Sequence, residues 1–168
     1  RVNWLLNNLG VVGDYLLSHL GLALPPIVAS FILAIPLGWL ANRFGWLRTP
    51  LLTGAGLTYA IPSLPLFIVL PIILGTSARD PLNIVVALTL YGLALMVPLT
   101  ADGLRQVNPA ALDAAKAMGY PPVRRFLTVE LPLAGPTLLA GLRVVAVSTV
   151  SLVTVGAVLG IPSLGLLF

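Results

Sequence analysis

Four apolar stretches dominate this chain, each free of Asp, Glu, Lys and Arg: 15–42, 49–78, 81–101 and 144–168. A helix needs about 20 apolar residues to cross the hydrocarbon core of a bilayer. Each stretch can therefore cross once, and none is long enough for two crossings with a turn between them. The pattern predicts spans over about 20–41, 52–75, 82–102 and 134–158. Residues 1–18 mix apolar and polar positions and carry Trp4 and Tyr15, which suits an interfacial lead-in helix. Pro25, Pro26 and Pro36 predict a kink in the first span. The polar segment between the third and fourth spans, 103–132, breaks the pattern. After the fourth span, Gly160-Ile161-Pro162-Ser163 ends the helix and a short apolar stub follows.

Composition agrees with a bilayer as the natural solvent. The chain is 58% hydrophobic and only 8% charged, with a mean hydropathy of +1.05; no soluble domain of this size hides that much apolar surface. Fifteen prolines would damage a soluble helical protein but are tolerable among packed membrane helices. The net charge of +4 comes from basic residues at span ends, a sign of topology rather than nucleic-acid binding. If the 42–50 turn and the polar segment share one side, that side holds Arg43, Arg48, Arg105, Lys116, Arg124, Arg125 and Arg143. The other holds Arg1 and Arg79. The positive-inside rule then places the polar segment in the cytoplasm. There is no Cys, so no disulfide or thiolate site. The chain starts at Arg1 without Met and stops at Phe168 within an apolar stretch, and both ends are expected to be trimmed relative to the gene product.

Within the polar segment, Asn108 is a good N-cap and Pro109 sits at the first helical position, where its missing N–H costs nothing. Residues 110–118 are mostly strong helix formers. Gly119 is placed for a left-handed C′ position, and Pro121-Pro122 forbid continuation. The sequence thus specifies a rigid helix roughly 15 Å long, small-sided enough for close approach, with Asp113 and Lys116 able to pair at i, i+3. Pro122 starts a second helix, with Arg124, Arg125 and Glu130, that returns to the membrane at Pro132. A surface anchor on the inner leaflet is the bland alternative, and Arg124 and Arg125 suit anionic lipid. Residues 110–118, however, lack the wide apolar face that an anchor needs.

The order Asp113-Ala114-Ala115, three residues, Gly119, nine residues, Val129, any residue, Leu131-Pro132 resembles the cytoplasmic loop by which permease subunits of ATP-binding-cassette (ABC) importers dock onto their ATPases, with Asp113 where that family usually has Glu. The phrases Ile61-Pro62-Ser63-Leu64-Pro65, Asn108-Pro109-Ala110, Ala115-Lys116-Ala117-Met118-Gly119 and Val129-Glu130-Leu131-Pro132-Leu133-Ala134 look like the osmoprotectant branch, which handles glycine betaine, choline, carnitine and proline betaine. The resemblance implies an all-α, polytopic prokaryotic plasma-membrane protein: a type I ABC importer permease-like bundle with a coupling helix. It implies ABC ATPase subunits, a second permease subunit (like or unlike), an external solute-binding protein and lipid as partners. ATP hydrolysis would belong to the separate subunit, with no cofactor or metal here. Asp113, Ala114, Ala115, Lys116, Met118 and Gly119 would form the coupling surface. The family core has five spans, whereas this chain shows four and a stub. Another small solute, such as an amino acid, remains open as cargo.

Candidate pathway residues are fewer. Tyr59, Tyr91, Phe31 and Phe67 lie at membrane depth and could cage a quaternary ammonium group, or simply face lipid and pack helices. Ser148, Thr149, Ser151 and Thr154 either line a pathway or join helices. Gly135, Ala140, Gly141 and Gly156 suit close helix approach. His19 is the only histidine and cannot form a metal site alone. Arg143 should snorkel or pair, with Asp102 as the first expected partner and Glu130 the second. Apart from Arg143 near the cytoplasmic end of the fourth span, the span middles carry no ionisable group, which disfavours a proton- or ion-coupled carrier. No G-x-x-x-x-G-K-[ST] phosphate loop occurs. Energy must then arrive from a partner. A non-transporting scaffold that recruits a cytoplasmic protein is the reading from a different class.

Overall fold

The structure is a computed structural model that describes residues 7–167; Arg1, Trp4 and Phe168 lie outside the described residues. Helix α1, Leu9–Arg43, runs unbroken through Pro25, Pro26 and Pro36. Residues 9–18 are the start of that helix rather than a separate lead-in. Helix α2 follows at Gly45–Ala60, α3 at Ser63–Leu74 and α4 at Pro81–Arg105. The polar segment supplies α5, Pro109–Ala117, and α6, Pro122–Arg125. A π turn, Phe126–Glu130, joins α6 to α7, Leu131–Val153. Two 3-10 turns, Thr154–Leu159 and Leu164–Leu167, complete the described chain. Among the described residues, three helical runs are long and apolar enough to cross a membrane: α1, α4 and the run Pro122–Leu159.

The stretch expected to form one span over 52–75 differs. It folds as α2 and α3, meeting at 107°, and counts as a fourth crossing only if the bent pair is one span. Pro62 forces the residue before it out of the helical region, and Ile61 sits at φ −70, ψ 124. The Tyr91 hydroxyl of α4 donates to the Ile61 carbonyl exposed by the break. Tyr91 is buried, and Tyr59 meets its ring edge-on at 6.3 Å between centroids. Tyr91→Phe removes that hydrogen bond and is expected to cost about 1 kcal/mol, read as a lower thermal midpoint in detergent; an unchanged midpoint would show that the bend does not depend on it.

Helices α1 and α4 form the broadest contact of the bundle, and α7 packs against both. One apolar cluster joins Leu22 and Ile27 of α1, Phe67 and Leu70 of α3 and Ile84 and Leu88 of α4; Val153 and Ile161 close it. A second, toward the polar segment, joins Ala34, Met96, Val97, Leu104, Ala134, Leu138 and Val145. Close approach depends on missing side chains. A Cβ on Gly92 would stand 2.5 Å from the Ser30 hydroxyl, and one on Gly38 would stand 2.6 Å from a Thr100 methyl. Of the residues expected at tight crossings, Gly141 and Gly156 are crowded, Gly135 has open space, and Ala140 is exposed.

Burial deserts the outer faces. Leu17, Ile32, Ile72 and Ile73 are exposed, with Ile72 at 79%, as suits helices solvated by hydrocarbon rather than water. At one end, the 76–80 loop is pinned by buried Asn83, whose amide donates to the Ser77 carbonyl at 2.8 Å and whose oxygen accepts from Thr76 at 2.5 Å. Asp80 caps α4 by accepting from the Leu82 N–H. At α7's far end, the change to 3-10 winding sends the Thr154 N–H to Ser151 and Leu152. The Val150 carbonyl, left without its helical donor, is met by buried His19 Nε2 at 3.0 Å. The lone histidine is a helix-to-helix tie.

Candidate functional site

The polar segment is a folded unit fastened to one end of the bundle. Asn108 caps α5 by accepting from the Ala110 N–H at 2.9 Å, with Pro109 opening the helix. At the other end Gly119 takes φ +78. The Tyr120 N–H reaches the Ala115 carbonyl at 3.1 Å and the Gly119 N–H reaches Lys116 at 2.9 Å, the paired bonds of a Schellman cap. These local devices fix both ends of a nine-residue helix.

Contacts from α5 and from the turn that follows it hold the polar segment against the bundle. Ala115 is buried, and Leu112 packs on the cluster around Leu104 and Val107. Phe126 of the π turn meets Trp39 of α1 at 5.6 Å between ring centroids. Arg125 bonds Glu130 at 3.0 Å, both side chains largely shielded. The π turn ends two residues before Pro132, whose ring excludes the carbonyl four residues back; the wider winding gives the ring room, so α6 continues through the turn into α7. Beneath α5, a pocket of about 230 Å³ is lined by Arg43, Arg105, Arg125, Glu130 and Trp39.

The 42–50 turn joins the same end. Asn42 donates to the Ala101 carbonyl at 2.7 Å, and Arg48 bonds both Asn42 Oδ1 at 2.6 Å and Asp102 at 3.0 Å. Asp102 is therefore engaged by Arg48 and Glu130 by Arg125, so neither partner expected for Arg143 pairs with it. Arg143 is exposed on the outer face of α7 and belongs to neither end of the bundle. The signal was its isolation: no other charged residue follows Glu130 in the sequence.

Of the six expected coupling residues, Ala115 faces the bundle. Asp113, Ala114, Lys116, Met118 and Gly119 are exposed together, with Met118 at 66%. Lys116 Nζ bonds Asp113 at 2.8 Å. That hydrogen bond, then the charges of Lys116 and Arg125, hold the Asp113 carboxyl below its ordinary range. Arg124 lies over the Tyr120 ring at 4.8 Å. The outcome is a small-sided, charge-compensated helix with one apolar knob, presented away from the membrane-crossing helices.

The chain matches a family model over residues 31–168, described as "Binding-protein-dependent transport system inner membrane component". The chain belongs to this family. The permease is 32% identical over 99% of its length, and 78% of the relative's, to the osmoprotectant import permease protein OsmW of Salmonella typhimurium. It is 29% identical to the glycine betaine/carnitine/choline transport system permease protein OpuCD of Bacillus subtilis, over 91% of this chain and 67% of the relative. Its fold matches inward-facing structures of the MetNI methionine ABC transporter at a TM-score of 0.80, over 95% of this chain and 79% of that one, with 18% identity. Fold class and membrane localisation are thereby as expected from the sequence.

The suggested pathway residues do not share a face. Tyr91 is buried at the α2–α3 bend, and Thr149 is buried on the inner face of α7. Ser151 is exposed on the outer face and bonds its own Val147 carbonyl at 2.8 Å; Ser148 is half-buried. Phe67 fills the first cluster and Phe31 packs on the second.

Proposed function

We propose that this permease is the solute-translocating subunit of an ABC importer for osmoprotectants such as glycine betaine, choline, carnitine or proline betaine. A cytoplasmic ATPase seats on α5, a second permease subunit pairs with this one, and an external binding protein delivers the solute. The observation that carries the reading is α5 itself: capped at both ends, tied to the bundle by Ala115, Leu112 and Phe126, and open on the Asp113–Met118 side. A rigid lever with small side chains suits close approach of a protein surface, and its fastening suits transmission of a push into α4 and α7. The names of the relatives support the cargo class. The charge distribution supports a cytoplasmic α5, because Arg43, Arg48, Arg105, Lys116, Arg124 and Arg125 gather at that end.

The test is purification of the full-length permease with its ATPase and binding protein in lipid discs. ATP hydrolysis should rise when the binding protein is loaded with one of the four solutes. Failure of any ATPase to co-purify would favour the scaffold reading. Stimulation by an amino acid alone would keep the importer and change its cargo.

A further inference from the structure

Arg143 is a charge without a counterpart at its own level. Along its helix the nearest charge, Glu130, is roughly 20 Å away. None of the described ion pairs includes Arg143. The five carboxylates of the sequence are Asp14, Asp80, Asp102, Asp113 and Glu130. Asp102, Asp113 and Glu130 are paired at the α5 end. Asp80 caps α4 at the other end, and Asp14 lies in the opening turns of α1. A second copy would bring the same five at the same levels, so pairing of two copies supplies no acid to Arg143.

The guanidinium also does not stand in a purely apolar surface. It lines an outward groove of about 520 Å³ with Ala140, Val144, Val147 and Ser148. Exposed Ser151 and Thr154 extend the same helical face, at i+8 and i+11 from Arg143. Both hydroxyls donate to their own helix, at 2.8 and 2.5 Å, which leaves their oxygen lone pairs free to accept from water. Charged side chains inside membrane spans face protein or a water-filled cavity rather than hydrocarbon. This face thus offers acceptors to water and, in the Arg143 guanidinium alone, a group that binds an anion, in a chain that provides no anion there.

We infer that Arg143 is a specificity-determining residue whose guanidinium binds the carboxylate of the transported solute in this groove. The inference rests on the permease reading above and narrows it. Zwitterions carrying a carboxylate, such as glycine betaine and carnitine, are favoured over choline, a cation with no carboxylate that Arg143 repels. Arginine suits the task because its planar fork matches a carboxylate with two parallel N–H donors.

The test uses the complete importer, full-length permease with ATPase and binding protein, in proteoliposomes. Because this sequence has no Cys, Arg143→Cys places a lone thiol in it, and a membrane-impermeant sulfonate thiosulfonate should modify the permease there. Reaction only with a lipid-soluble maleimide would put the residue in hydrocarbon and overturn the inference. Arg143→Gln should lower glycine betaine uptake about tenfold or more while choline uptake holds or rises, and Arg143→Lys should retain more glycine betaine uptake than Gln. Equal loss for both solutes would mark a merely structural role, and unchanged uptake would mark a spectator; either overturns it, as would a wild type that carries choline but not glycine betaine. Loss of the permease reading has a separate signature, the absence of binding-protein-stimulated ATP hydrolysis in the wild type, and the labelling result then still decides whether the groove holds water.

Discussion

Replacing Gly119 with valine is expected to stop solute uptake while the helical bundle still inserts. Gly119 sits at φ +78, where an L side chain costs about 1–2 kcal/mol and a β-branched one is a genuine outlier. A Cβ there would meet nothing within 4 Å in this chain, so the cost is conformational and falls on the Schellman cap that ends α5. Losing that cap frees the Ala115 and Lys116 carbonyls and redirects the chain toward Tyr120. The same substitution thickens the surface proposed to meet the ATPase. Capture of the ATPase by tagged permease and uptake in cells give the two readouts, and valine should depress both by tenfold or more, since every 1.4 kcal/mol is a factor of ten. Gly119→Asn separates the causes, because asparagine visits the left-handed region readily. It should keep the cap and much of the uptake. Equal failure of both variants would assign the effect to obstruction at the surface. Normal ATPase capture and uptake in Gly119→Val would remove α5 from the coupling role altogether.

The polar segment was readable because its signals are local. Asn108, Pro109 and Gly119 each act on backbone groups a few residues away, so their order along the chain specifies caps that the structure repeats. The bend at Ile61–Pro62 was not readable in the same way. Membrane helices tolerate proline, and α1 absorbs three without a break; what sets Pro62 apart is a hydroxyl on Tyr91, brought there only by packing. The partner of Asp102 posed a similar problem. Arg143 was the expected partner, and Arg48 takes its place because the 42–50 turn crosses the ends of α1 and α4. Nor did Gly38 or Gly92 stand out among sixteen glycines, since what makes them necessary is the helix on the other side.

That seam yields the second large effect. Gly92→Leu is expected to destabilise the bundle severely and to lower the amount of folded permease in the membrane. The first added carbon already lies 2.5 Å from Ser30 Oγ and 2.6 Å from Ser30 Cβ, with Val145 at 3.4 Å on the third helix. Ser30 is fully buried and bonds the Ile27 carbonyl at 3.1 Å, so it has nowhere to turn. Overpacking of this kind costs about 1–3 kcal/mol even for small insertions, and a leucine in a seam set by backbone approach belongs at or beyond the upper limit. Thermal unfolding in detergent measures the loss, with Gly135→Leu as the control, because a Cβ there meets nothing within 4 Å. The sharper version pairs Gly92→Ala with Ser30→Gly. If α1 and α4 touch here as described, the double variant should recover part of the stability lost by Gly92→Ala alone, a coupling that contacting residues show and distant ones do not. Strictly additive losses would mean that these helices do not meet at Ser30 and Gly92, and the packing of α1 on α4 would have to shift along its length.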